Sequence, residues 1–260
     1  MKNKSFTLIE LLVVIAIIGL LASIVMVSVG LAREKARIAA GQRFASQLDH
    51  SLEAVGSWRF DGNLLDGSGY GNDGTLTCLG ASCWETDMTK CMQGQCLTFN
   101  GDDLINCGNG ASLNITKKIT ISAWIYPKST NTGTIVAKNG PYYLGFSNSK
   151  IASGIYTGIW TWLNGNTTIS LNAWSHLAIT YNSSLIKVYL NGKEDGSTPK
   201  NGDMIISGDS VRIGWGAPGF NNYFNGLIDE VRIYNQSLTS AQIEKIFVQG
   251  LERHRNLAIK

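Results

Sequence analysis

Hydrophobic and polar positions divide the chain into regimes of different period. From Leu11 to Ala32 no charged residue occurs, and one acid, Glu10, stands at the head of the run. At about 1.5 Å per residue this run reaches about 33 Å as a helix, enough to cross a bilayer core; the pattern predicts a transmembrane helix over 6–32. From Arg33 to Glu53 only Gly41 interrupts a helix-compatible sequence. Ala36, Ala40, Phe44, Leu48 and Leu52 recur there four apart on one face, which predicts a helical stalk over 33–56. From Trp58 onward the period becomes two. Ile119, Ile121, Ala123 and Ile125 alternate with Thr120, Ser122, Trp124 and Tyr126. Leu177, Ile179 and Tyr181 alternate likewise, and Ile186, Val188 and Leu190 run into the turn Asn191-Gly192. Short alternating strands separated by turn residues predict an antiparallel two-sheet sandwich over 57–250. Helical spacing returns at Ile243, Ile246 and Phe247, behind Thr239-Ser240-Ala241-Gln242, a capping-box pattern. Residues 251–260 form a basic tail.

The acid at the head of the apolar run needs an explanation. A cleaved secretory signal is cut after its apolar stretch and has no reason to keep a Glu there. An acid within a membrane costs roughly 3 kcal/mol and normally has a partner. As a plain signal anchor, the segment would hold Glu10 only by accident of the membrane edge. Lys4-Ser5-Phe6-Thr7-Leu8-Ile9-Glu10-Leu11-Leu12 instead resembles the cleavage and methylation motif of type IV prepilins and type II secretion pseudopilins. The resemblance implies a leader of residues 1–5, cleavage between Ser5 and Phe6 by a prepilin peptidase, and N-methylation of Phe6. It also implies assembly with other pilin or pseudopilin subunits, Glu10 neutralising the amine of a neighbouring Phe6 in the filament core. Ser5 stands where the family usually has Gly, and Val27 near the place of the family's common Pro.

The head carries its own resemblance. Asp66-Gly67-Ser68-Gly69-Tyr70-Gly71-Asn72-Asp73-Gly74, Leu97-Thr98-Phe99-Asn100-Gly101-Asp102-Asp103 and Phe224-Asn225-Gly226-Leu227-Ile228-Asp229-Glu230-Val231 together resemble the laminin G-like, concanavalin A-like jelly roll. The resemblance implies a fold used for carbohydrate and cell-surface recognition. Fold alone does not fix function.

Parity on the last strand groups Leu227, Asp229, Val231 and Ile233 on one face, so Asp229 is expected to point inward and to need a partner. Asp66, Ser68, Asn72 and Asp73 offer side-chain oxygens on a glycine-rich loop, and an oxygen-only set suits a structural Ca²⁺. The competing reading is that Asp66 and Asn72 organise tight turns while Asp229 accepts backbone hydrogen bonds. Trp160, Trp162, Trp215 and Tyr223 sit near Gly and Asn, where loops form, and are the candidate sugar-stacking residues. Trp124 and Trp174 lie within strands that the resemblance assigns to the sandwich and are expected in the core.

Catalysis has little support. His50, His176 and His254 lie on the stalk, mid-strand and in the basic tail, none within a nucleophile pattern, and the close acidic pairs Asp102-Asp103, Glu194-Asp195 and Asp229-Glu230 are consecutive, on opposite faces if extended. A net charge of +3 is too small to argue for nucleic acid. Cys78, Cys83, Cys91, Cys96 and Cys107 cluster in the head, which places it in an oxidising compartment. A hairpin turning at Gly101-Asp102 sets Cys96 opposite Cys107, as a wide hydrogen-bonded pair that needs a bulge or longer turn to bridge. Two of the remaining three are left to pair. The functional expectation is an inner-membrane, single-pass filament subunit with its head outside the cytoplasm, recognising a glycan or surface protein. The alternatives are a membrane-anchored carbohydrate-active enzyme and a secretion pseudopilus subunit whose head is a spacer.

Overall fold

The computed structural model describes residues 8–9, 11–18, 52, 54–80, 83–92, 94–215 and 222–257. Two compact units divide the chain, Met1–Gln47 and Leu48–Lys260. In the first, residues 8–9 and 11–18 are helical, with Leu8, Ile9, Leu11, Ile15 and Ile18 exposed. Among the described residues no helix is long and apolar enough to cross a membrane. Ser5, Phe6, Glu10, most of the 6–32 run and the stalk up to Ser51 lie outside the described residues.

The second unit is a sandwich of two seven-stranded antiparallel sheets. The first contains β1 (Ala54–Trp58), β3 (Leu97–Asn100), β5 (Ile119–Pro127), β10 (Ser175–Tyr181), β11 (Leu185–Leu190), β12 (Lys193–Pro199) and β14 (Asn225–Tyr234). Its order is β1-β14-β5-β10-β11-β12, with β3 also paired to β14. The second contains β2 (Thr75–Thr77), β4 (Leu104–Asn106), β6 (Gly133–Lys138), β7 (Tyr142–Ser147), β8 (Lys150–Tyr156), β9 (Trp160–Asn164) and β13 (Val211–Ile213), in the order β2-β4-β13-β6-β7-β8-β9. The alternation seen in the sequence sorts the faces as expected. Ile119, Ile121, Ala123, Ile125, Leu177, Ile179, Ile186 and Val188 of the first sheet meet Ile135, Leu144, Phe146, Ile151, Ile155, Val211 and Ile213 of the second in one buried core.

The outer face of the first sheet is covered by the C-terminal helix, Ser240–Leu257, which extends seven residues into the expected basic tail. Its capping box forms: the Thr239 backbone N–H donates to Gln242 Oε1 at 2.8 Å, and the Gln242 N–H to Thr239 Oγ1 at 3.3 Å. Ile243 and Ile246 bury against Ala178, Tyr189, Tyr234 and Leu238, while Phe247 stacks on Trp124, centroids 5.6 Å apart. Trp124 is therefore buried on the outer face, under the helix, rather than between the sheets. Gly250 is the close-approach point. A Cβ there would lie 2.6 Å from Trp124 Nε1, so only glycine lets the helix sit this low.

Two local expectations change. Residues 97–100 and 104–106 do not form a hairpin: β3 pairs with β14 in the first sheet and β4 with β2 and β13 in the second. The turn between them carries the chain from one sheet to the other, so Cys96 and Cys107 belong to different layers and do not bridge. The disulfides are Cys78–Cys83 and Cys91–Cys96, and Cys107 is a buried free thiol. Parity on β14 also breaks. Its register against β5 shifts between Asp229 and Arg232, and Glu230 has φ +51°. This bulge leaves Leu227 and Asp229 on the outer face, opposite Tyr126 and Trp124, and turns Val231 and Ile233 into the core.

Candidate functional site

The residues expected to hold calcium do not converge. Asp66 is ringed by donors: Oδ1 accepts from the N–H groups of Ser57 and Ser68, both at 2.9 Å, and Oδ2 from Ser68 Oγ at 2.8 Å, Asn72 N–H at 3.0 Å and Asn72 Nδ2 at 3.2 Å. Five donors fill the acceptor capacity of a carboxylate, which has about four lone-pair positions. Asn72 turns its amide NH₂ toward Asp66, Val55 O and Ser112 Oγ, and Asp73 Oδ1 accepts from Asp66 N–H. Asp229 lies elsewhere, buried on the first sheet, accepting from Met92 N–H at 3.0 Å and Glu230 N–H at 2.8 Å. A calcium shell needs oxygens aimed at a common vacancy; here N–H and O–H groups aim at the oxygens. The set does not fit a cation, and the geometry is that of turn organisation. Among the described residues the only metal-sized group of His, Cys, Asp and Glu is Cys78, Cys83 and Asp103, and its two sulfurs are already a disulfide.

Five of the six acids in the consecutive pairs are likewise committed, Asp229 as above. Asp103 accepts from the N–H groups of Leu79 and Asn100, Glu194 pairs with Lys187, Asp195 accepts from Thr167, and Glu230 pairs with Arg232 in the interior. His176 is buried beside the stacked rings of Trp124 and Phe247, its centroid 5.3 and 6.1 Å from theirs. Burial, then the nearby Arg232 charge, pushes its pKa down to about 3.

The expected stacking residues, by contrast, share one surface. Trp160 and Trp162 are on β9, an edge strand, rather than on a loop, and point outward while Leu163, the next residue after Trp162, packs on the core. Their indoles stack at 4.8 Å with planes 18° apart. Two residues the sequence pattern left unmarked extend the row: Tyr143 on β7, edge-on to Trp162 at 5.4 Å, and Tyr156 on β8, at 5.4 Å from Trp160. The signal was outward parity, because Tyr142 and Leu144 on either side of Tyr143 are buried in the core. Gly154 lies beneath the indoles, where a Cβ would come within 2.6 Å of Trp162 and 3.0 Å of Trp160; its absence lets both rings lie against the sheet. Trp162 remains 56% exposed, so its face is open to a ligand.

Trp215 and Tyr223 do lie on a loop, between β13 and β14, stacked at 5.5 Å and 13°. Arg212 of β13 lies over Trp215, its Cζ 5.1 Å from the ring centroid. The two aromatic groups are linked through the sheet. Direct partners run Arg212–Ala137, Ala137–Tyr143, Tyr143–Gly154 and Gly154–Trp162. Directly paired residues share a face, so Arg212 and Trp162 stand on the same outer surface, four strand spacings or about 19 Å apart. Small residues, Ala137 and Gly154, alternate with the large ones along this line.

Comparisons with known proteins now bear on this surface. A family model described as the concanavalin A-like lectin/glucanases superfamily matches residues 99–244, more than half of the chain. A model of the prokaryotic N-terminal methylation motif matches residues 1–26. Adhesion G-protein coupled receptor V1 of Danio rerio is 28% identical over 151 residues, which is 52% of this chain and 2% of that receptor. Among solved structures, domain 4 of AbnA, a GH43 extracellular arabinanase from Geobacillus stearothermophilus, in complex with arabinotriose, aligns with TM-score 0.60 and 25% identity over 75% of this chain and 98% of that domain. The binding domain of Paraclostridial Mosquitocidal Protein 1 aligns with TM-score 0.60 and 18% identity over 75% of this chain and 52% of its own length. The botulinum neurotoxin serotype G binding domain gives 0.58 and 18%, over 75% and 51%. These last two share the fold alone.

Proposed function

Because the chain belongs to the concanavalin A-like lectin/glucanases superfamily and opens on the prokaryotic N-terminal methylation motif, we propose that it is a type IV pilin-like or pseudopilin subunit. Its jelly-roll head serves as a glycan-recognition module outside the cytoplasm. The N-terminal segment supplies the membrane anchor and, after cleavage by a prepilin peptidase, the filament contact through Glu10. The observation that carries the recognition role is the outward aromatic row of Tyr143, Trp162, Trp160 and Tyr156 on the second sheet. Flat rings on a rigid sheet present apolar area to the C–H faces of sugars at little ordering cost. The arabinotriose-bound neighbour supports a sugar as the ligand class. Commitment of Asp103, Glu194, Asp195, Asp229 and Glu230 to structural bonds supports binding without hydrolysis.

The test is a glycan array probed with the full chain in detergent micelles and with Trp162→Ala. Binding to at least one class of oligosaccharide is expected, weakened at least tenfold, or about 1.4 kcal/mol, by the substitution. A head that binds no sugar, or binds equally well without the Trp162 ring, would make it a spacer.

A further inference from the structure

The charge of the second sheet is as one-sided as its aromaticity. None of its seven strands contains an Asp or a Glu, while they carry Lys138, Lys150 and Arg212. Lys138 is turned inward, where it donates to Asn109 and Asn114. The other two face outward: Arg212 pairs directly with Ala137 in the line that leads to Tyr143 and Trp162, and Lys150 precedes the core residue Ile151 on β8. Arg212 is the less ordinary of them. Its guanidinium lies over Trp215, yet Nη1 is shielded from solvent and has no hydrogen-bond partner. No carboxylate pairs with it among the described residues. The adjoining segment, Gly216-Ala217-Pro218-Gly219-Phe220-Asn221, contains no acid to supply one. A shielded donor on a cation is expensive to leave unmet, and a guanidinium fork is suited to planar oxyanions.

We propose that this face selects acidic glycans, the aromatic row stacking on sugar rings while Arg212 takes a carboxylate or sulfate group on the same chain. The inference rests on the glycan-binding reading and narrows it to a substrate class. The span from Trp162 to Arg212 suits an extended oligosaccharide rather than a single sugar.

The experiment compares the full chain, in detergent micelles, against oligogalacturonate and its methyl ester, the same sugar chain with the charge removed, by titration of tryptophan fluorescence. A heparin-derived oligosaccharide forms a third arm. The acid is expected to bind at least tenfold more tightly than the ester, and Arg212→Gln should shrink that ratio to twofold or less, with Arg212→Lys between. Binding of the heparin fragment but not oligogalacturonate would identify sulfate as the preferred oxyanion within the same proposal. Equal affinity for acid and ester, with the heparin fragment no tighter than either, would overturn selectivity for acidic chains while leaving glycan binding intact. An acid preference that survives Arg212→Gln would overturn the role of Arg212. No binding in any arm would overturn both readings. The acid-to-ester comparison on the unaltered chain decides the matter even if the variants fold poorly.

Discussion

At the scale of single residues, environment separates side chains that the sequence presents as equivalent. Asp66 and Asp229 both read as ligands in want of a cation, and both are satisfied by N–H donors from neighbouring backbone. The competing turn reading was legible in the Asp-Gly-Ser-Gly pattern; the decision between the two depended on donors from Ser57 and Met92, distant in sequence. His176 has a sharper consequence. Its folded pKa of about 3 lies below the usual value of about 6.5, so the folded state holds it neutral while the unfolded state takes up a proton as pH falls below 6.5. Its contribution is therefore present above pH 6.5 and is lost progressively toward pH 3, about 2 kcal/mol by pH 5. Chemical denaturation at pH 7 and pH 5 should show that loss, and His176→Gln should flatten it whatever its effect at pH 7. An equal pH slope in the variant would remove His176 as the source.

Among the elements, those with strong period were legible and those set by partner choice were not. The core positions of β5, β10 and β11, the capping box at Thr239 and the turn at Asn191-Gly192 followed from alternation and local chemistry. The segment from Cys96 to Cys107 did not, because Gly101-Asp102 suits both a hairpin and a crossover between sheets, and pairing of β3 with β14 decides for the crossover. The bulge at Glu230 is similar: one extra residue reverses the facing of Asp229, and nothing local announces it. The C-terminal helix offers an element-level test through Gly250. On helix propensity, Gly→Ala should stabilise by about 1 kcal/mol. A Cβ 2.6 Å from the rigid Trp124 indole instead forces the helix off the sheet, and overpacking of this kind costs about 1 to 3 kcal/mol. Thermal melting of Gly250→Ala should thus fall by several degrees; a rise would mean that the helix does not rest on Trp124.

For the whole molecule, two modules with separate chemistry share one chain: an N-terminal segment matching the methylation motif over residues 1–26 and a lectin-like sandwich matching its family over 99–244. The aromatic face was half legible. Trp160, Trp162, Trp215 and Tyr223 stood out by type, but their joining into one surface depends on a strand order no local pattern contains, and Arg212 becomes visible only through it. The central claim is that the first segment makes the head a subunit of a filament, and maturation of the N-terminus tests it most directly. Intact mass spectrometry of the chain extracted from membranes of its native cells, with fragmentation of the first residues, is expected to show loss of Met1 to Ser5 and a methylated amine on Phe6. A chain that still begins at Met1, or one cut near residue 30 after the apolar run, would contradict the account.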